Sequence, residues 1–361
     1  MNPGHMVRMG MSAAQVSLTG ARIPINVMLS VTNRCNARCS YCDIPARQQQ
    51  ELTDAEIHTL IDDMADCGTR RLGIWGGEPL LREAIGDFIT HAHERNIYTT
   101  LDTNGYLLEQ RLPRLKHLEH ILFSLDGEAP YHDKNREPGS HEKTLRGIQK
   151  AIEAGMNVWT ITVLTCNNLH SIDYILDQAE ALGFKATFQV LHHSAEMSQH
   201  GMDLLPADQA YREAIQRLID AKEAGRPVGS SSFYLEHVKT WPDFRLPRAD
   251  APHRGLNCLA GQAVCNVDTD GTVYPCSLLI GHYPGLNIRE GGFKAAFDAT
   301  RHVPCKSCVA ACFTEYSKIF ALHLRTIAEW TVAMADAGPF ASRLMTRATQ
   351  ASTRFLNMEL V

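Results

Sequence analysis

Short apolar runs alternate with longer amphipathic ones through the first half of the chain. Runs at 23–31, 72–75, 97–101, 121–125, 158–164 and 186–191 have strand length and composition. Between them apolar residues recur at helical spacing, as in Leu145, Ile148 and Ile152, or Ile172, Ile175, Leu176 and Ala179. Helix ends carry their own signals. Thr53 followed three residues later by Glu56 reads as a capping box, opening a helix that runs towards Cys67-Gly68. Ala154-Gly155 and Leu182-Gly183 read as helix stops before the fifth and sixth strands. This alternation predicts an α/β fold with a parallel sheet and right-handed crossovers. Periodicity alone does not separate an open doubly wound sheet from a barrel.

The second half is less regular. A helix is expected over 206–225, closing a first domain that spans 21–225. Residues 226–255, rich in Pro, Ser, His and Arg without clear period, read as a linker. A cysteine-rich module follows at 256–315, with 265–276 as a hairpin turning at Thr269-Asp270-Gly271. A helical tail at 316–361 sets Tyr316, Phe320, Ile327, Trp330 and Met334 on one face, with a break at Gly338-Pro339. Residues 1–20 read as a loose tail without the apolar stretch of a signal peptide.

Composition narrows the class. The 361 residues are 44% hydrophobic and 21% charged, ordinary for a soluble enzyme. Lys and Arg number 35 against 40 Asp and Glu, a net charge of −5, and no basic stripe recommends a nucleic-acid partner. No apolar run approaches the about 20 residues that span a bilayer. The 11 cysteines are odd in number and grouped at metal-ligand spacings, which fits a reducing cytoplasm rather than a disulfide framework.

Three of them, Cys35, Cys39 and Cys42, follow the first strand with C-x3-C-x2-C spacing. Three thiolates on one loop leave one iron of a cubane cluster open, which a catalytic site needs and a structural one lacks. A zinc knuckle is the plain alternative; it would want a nearby fourth ligand, and His58 lies in a helical pattern away from the loop. Spacing and the aromatic Tyr41 resemble the signature of the radical S-adenosylmethionine (SAM) superfamily. The resemblance implies an open, partial (β/α)6 barrel and a [4Fe–4S] cluster whose fourth iron is chelated by SAM. It also implies reductive cleavage to a 5′-deoxyadenosyl radical, with a reductant such as flavodoxin or ferredoxin. Active sites of such barrels lie at the C-terminal ends of the strands.

Further motifs fall there. Gly76-Gly77-Glu78-Pro79 follows the second strand and matches the family's GGEP loop, whose backbone and carboxylate contact the SAM amino group. Asn104 follows the third strand, Ser124 and Asp126 the fourth and Asn168 the fifth; each resembles a family position that lines the SAM site. Asp126 could equally hold the turn at Gly127, and Asn168 could form an Asx-turn. Cys166 after the fifth strand is a candidate hydrogen donor or a buried spectator. His192 and His193 after the sixth are candidate substrate contacts or proton acceptors.

The module at 256–315 offers Cys258, the Gly271-x4-Cys276 element and the Cys305-x2-Cys308 pair. It resembles the SPASM/twitch auxiliary-cluster module, which implies an auxiliary [4Fe–4S] cluster on those four thiolates; a four-cysteine zinc ribbon is the alternative. Cys265 and Cys312 stay unassigned, and Cys67 reads as core. The expected function is radical oxidation or rearrangement of a small biosynthetic intermediate. A peptide or lipid-linked substrate, epimerisation, carbon–carbon bond formation and a non-enzymatic iron–sulfur or zinc module are the alternatives.

Overall fold

The computed structural model describes residues 3–192 and 201–335. Six parallel strands form consecutive neighbours: β1 (Asn26–Ser30), β2 (Arg71–Trp75), β3 (Tyr98–Thr103), β4 (His120–Ser124), β5 (Val158–Leu164) and β6 (Lys185–Val190). Helices such as Asp54–Asp66, Ile85–Glu94, Ser140–Glu153 and Ile172–Leu182 return the chain between them. This is the partial barrel that the motifs imply. Each expected strand is present to within a few residues, and the Thr53–Glu56 capping box forms with both of its reciprocal bonds.

Strand parity sorts the side chains. Val27, Leu29, Leu72, Ile74, Leu101, Ile121, Phe123, Ala186 and Phe188 belong to the main core, packed under the helices. Their neighbours in sequence face the barrel interior. There Met28, Trp75, Asp102, Leu122, Ser124, Ile161, Val163, Thr187 and Gln189 are only half-buried, so the interior reaches solvent.

The sheet continues past β1. Strand Val264–Val267 pairs with β1 in parallel, and Thr272–Tyr274 returns antiparallel beside it, the expected hairpin. Cys258 and Cys276 therefore flank the N-terminal end of β1, opposite to Cys35, Cys39 and Cys42. Cys265 points outward into the main core beside Cys67, away from the other module cysteines.

Two expectations need correction. Residues 3–19 are not a loose tail: Pro3–Thr19 is a helix whose His5, Ser12, Ala13 and Val16 are buried. Ala13 and Val16 pack with Leu259, Phe313 and Phe320. Its two glycines and weak apolar stripe hide it, because its stability comes from docking rather than propensity. Nor is 226–255 a linker. Ser231 caps helix Ser232–Lys239, and Tyr234, Leu235, Val238, Trp241 and Phe244 are buried.

The tail is two helices, Ala311–Phe320 and Leu324–Ala335, with Leu322 in left-handed conformation (φ 59°) between them. They floor the barrel. The Tyr316 ring lies 4.7 Å from the Arg71 guanidinium carbon, and Trp330 stacks on Trp159 at 5.5 Å. Trp330 Nε1 donates to Glu315 at 2.6 Å. Gly338-Pro339 lies outside the described residues.

Candidate active site

The loops after β1 to β4 lock together at the C-terminal mouth. Gly77 N–H donates to Thr32 O at 2.7 Å and Glu78 N–H to Arg34 O at 2.8 Å. A Cβ on Gly77 would lie 2.2 Å from Arg34 O, and Gly76 has φ +132°, so both positions require glycine. Asn104 Nδ2 donates to Asn36 Oδ1 at 2.7 Å, tying the third loop to the cysteine loop.

Cys35, Cys39 and Cys42 are close enough to sense one another's charge. Burial pushes the Cys35 thiol up to about 11 and the Cys42 thiol up to about 12, and neighbouring cysteines push the same way. Bound iron would reverse this, since ligation deprotonates a thiol. Among the described residues no three or more of His, Cys, Asp and Glu converge on one point, as a single ion would require. A cubane asks for less convergence, because its thiolates bind separate irons.

Sequence reasoning missed Arg136. It is buried, its Nε donates to Asp126 Oδ2 at 2.9 Å and its NH2 to the Tyr41 hydroxyl at 2.6 Å. NH1 stands 3.7 Å from Cys39 Sγ. The Tyr41 hydroxyl donates to Asp126 at 2.9 Å. Burial opposes the Arg136 charge, but Asp126, Tyr41 and Cys39 outweigh it and hold the guanidinium above its ordinary range. A fixed cation thus sits beside the thiolates. No local motif marks it; it is the residue that caps the C-terminal end of helix Ala129–Asn135.

Other expected site residues divide. Glu78 is buried, with Oε1 accepting from Leu80 N–H (3.0 Å) and the Thr103 hydroxyl (2.7 Å), and Oε2 from Asn104 N–H (2.8 Å). Burial raises its carboxyl to about 6 despite these donors. Asn168 is buried and engaged internally: Oδ1 accepts from Thr165 N–H, and Nδ2 donates to Asp126 O and Val163 O. Asp126 and Asn168 thus hold the loops, while half-buried Ser124 faces the interior. Cys166 is exposed, with Sγ 4.0 Å from Asp203 O, rather than enclosed over the barrel. His192 is half-buried after β6, and burial lowers its pKa, so it is neutral at pH 7. His193 lies outside the described residues. Replacing Glu78 by Gln turns an amide donor towards one of three buried donors. It is expected to cost about 1–3 kcal/mol in denaturant unfolding. Glu78→Ala is expected also to weaken SAM binding at unchanged iron content.

At the other end Cys258, Cys276, Cys305 and Cys308 form a second group. Burial raises the Cys276 and Cys308 thiols furthest; Cys308, Cys258 and Cys305 add to it at Cys276, and Cys258, Cys305 and Cys312 add to it at Cys308. Cys312 adjoins Cys308 but faces Asp102 and Arg71 in the barrel.

Residues 29–179 match the Radical SAM superfamily. An Fe-coproporphyrin III synthase of Methanosarcina barkeri is 31% identical over 287 residues, 74% of this chain and 72% of that protein. A PqqA peptide cyclase of Ruegeria pomeroyi is 29% identical over 79% of each chain. A Methanococcus maripaludis protein named "Probable GTP 3',8-cyclase" is 30% identical over 50% of this chain, which spans 64% of that protein. Among solved structures, Streptococcus suis SuiB bound to precursor peptide SuiA superposes with TM-score 0.63 at 15% identity, over 84% of this chain and 71% of that one. The chain belongs to the radical SAM superfamily. It is an enzyme, and the superfamily's [4Fe–4S] cluster and SAM are its cofactors. Among the described residues no helix is long and apolar enough to cross a membrane.

Proposed function

We propose that this enzyme oxidises a small biosynthetic intermediate held inside the barrel, with the first cluster on Cys35, Cys39 and Cys42. An auxiliary [4Fe–4S] cluster sits on Cys258, Cys276, Cys305 and Cys308, and a flavodoxin or ferredoxin is the reductant. The observation that carries the reading is the pair of thiol groups at the two ends of one solvent-reaching interior. When bound, SAM and its cluster supply a 5′-deoxyadenosyl radical, which takes a hydrogen atom from carbon. The chain's residues do the rest. Gly76 and Gly77 let backbone approach SAM, and Glu78 and Asn104 fix that loop. Ser124 offers a hydroxyl to SAM, and Asp126 and Asn168 hold the strand ends beneath it. Neutral His192 accepts the proton released when a substrate radical gives up its second electron.

The test is Cys305→Ala. It is expected to keep forming 5′-deoxyadenosine under SAM and dithionite while losing iron from the second group and the oxidised product. Zinc in the second group after anaerobic purification, or normal oxidised product from the variant, would overturn the reading. A peptide substrate is the second reading, favoured by the similarity to a PqqA peptide cyclase over 79% of each chain. Stimulation of 5′-deoxyadenosine formation by the small-molecule filtrate of an extract supports the first reading; stimulation by the retained peptides supports the second.

A further inference from the structure

The lower half of the barrel interior holds a buried cation without a direct counter-ion. Arg71, 7% exposed, donates to neutral acceptors: Asn26 Oδ1 at 2.6 Å, Thr100 Oγ1 at 2.7 Å and Met28 Sδ at 3.5 Å. Among the described residues it forms no ion pair, and the Tyr316 ring packs against it. Space for it is made by Gly73, where a Cβ would lie 2.4 Å from Met28 Sδ and 3.0 Å from Arg71 NH1.

Around it, interior-facing strand positions carry buried polar atoms without partners. They are Asn26 Nδ2 on β1, His120 Nε2 on β4, Trp159 Nε1 on β5, and both amide atoms of Asn266 on the strand beside β1. Asn26 and Asn266 are fully buried, and His120 is 4% exposed. Burying such an atom unpaired is costly, so a group of them marks a place meant to be filled. Register brings them together: Asn26 pairs with Arg71, Asn266 with Met28, and Thr100 with His120. Donors outnumber acceptors, which suits an anion. One layer nearer the mouth, half-buried Asp102 faces the same space, within electrostatic reach of Arg71 but not bonded to it.

We propose that this part of the barrel interior binds a carboxylate-bearing end of the substrate. Arg71 is its counter-ion, the unpartnered amides are its donors, and Asp102 accepts from a hydroxyl or amine on the adjoining carbon. The assignment rests on the reading of the barrel as the substrate site, and it adds the substrate's chemical class. Burial raises the Asp102 carboxyl to about 6, which leaves it largely an acceptor at neutral pH. Burial also lowers His120 to about 3, so its ring stays neutral beside Arg71.

The test uses the reconstituted full chain with glycolate, glycine and their amides as probes, observed by ligand-detected NMR. The carboxylates are expected to bind and the amides to bind about tenfold or more weakly, the scale of one charge-assisted contact. Arg71→Met is expected to erase that preference. Asn266→Leu guards against a folding defect. Removing an unpartnered amide should leave denaturant stability equal or higher, while carboxylate binding falls. Equal binding of acids and amides, an unchanged preference in folded Arg71→Met, or undiminished carboxylate binding in folded Asn266→Leu overturns the inference. Formation of 5′-deoxyadenosine separates the two failures. If the wild type cleaves SAM but shows no carboxylate preference, only this inference fails; if it does not cleave SAM, the parent reading fails.

Discussion

Replacing Cys35, Cys39 and Cys42 together by alanine is expected to remove about half of the roughly eight irons of the reconstituted protein and to abolish SAM cleavage. The two thiol groups lie at opposite ends of β1, so loss of one should leave the other to fill. The loop itself should persist. Its backbone is held by Gly77, Glu78 and Asn36 contacts that do not involve sulfur. Iron analysis and 5′-deoxyadenosine quantitation check both halves. Iron content near the wild-type value, or residual SAM cleavage, would remove these cysteines from the centre.

Arg136→Leu is expected to destabilise the protein by about 3–5 kcal/mol, the usual consequence of breaking a buried ion pair from one side. Asp126 is fully buried, and without Arg136 its Oδ2 keeps only the Tyr41 hydroxyl. The double variant Arg136→Leu/Asp126→Leu should recover much of the loss, because no charge is then stranded. Denaturant unfolding of the two variants and the wild type measures it. A single-variant loss under about 1 kcal/mol, in the range of an exposed pair, would contradict the structure here. The same substitution takes a cation from beside Cys39, so SAM cleavage should fall even where the protein folds.

The barrel was legible because strands and helices announce themselves by period, and because Thr53 and Glu56 carry a cap that needs no tertiary partner. The cysteine loop and the Gly76-Gly77 turn were legible because their chemistry lies within a few consecutive residues. What escaped depends on distant partners. Helix Pro3–Thr19 exists by docking on residues beyond 258, and nothing in its own sequence pairs it with them. Helix Ser232–Lys239 did show Tyr234, Leu235 and Val238 at helical spacing, but Pro227 and the serine run masked the signal. Arg136 meets Tyr41 and Cys39 across 95 and 97 residues of chain, a distance that no local pattern bridges. The outward direction of Cys265 was available from strand alternation with Val267. The inward direction of Arg71 needed the register of four strands.

The placement of the two thiol groups at either end of β1 has a spectroscopic meaning. The five residues of β1, about 16 Å of strand, lie between them, and the cysteines sit on loops beyond either end. At that range two clusters would barely exchange-couple, and their potentials would be set by different neighbourhoods, Arg136 beside Cys39 at one end and Arg248 beside Cys305 at the other. Frozen spectra of the fully loaded, reduced enzyme should add up as two independent signals rather than one broadened composite. A reductive titration should show two waves that can be assigned singly, each vanishing with its own set of cysteines.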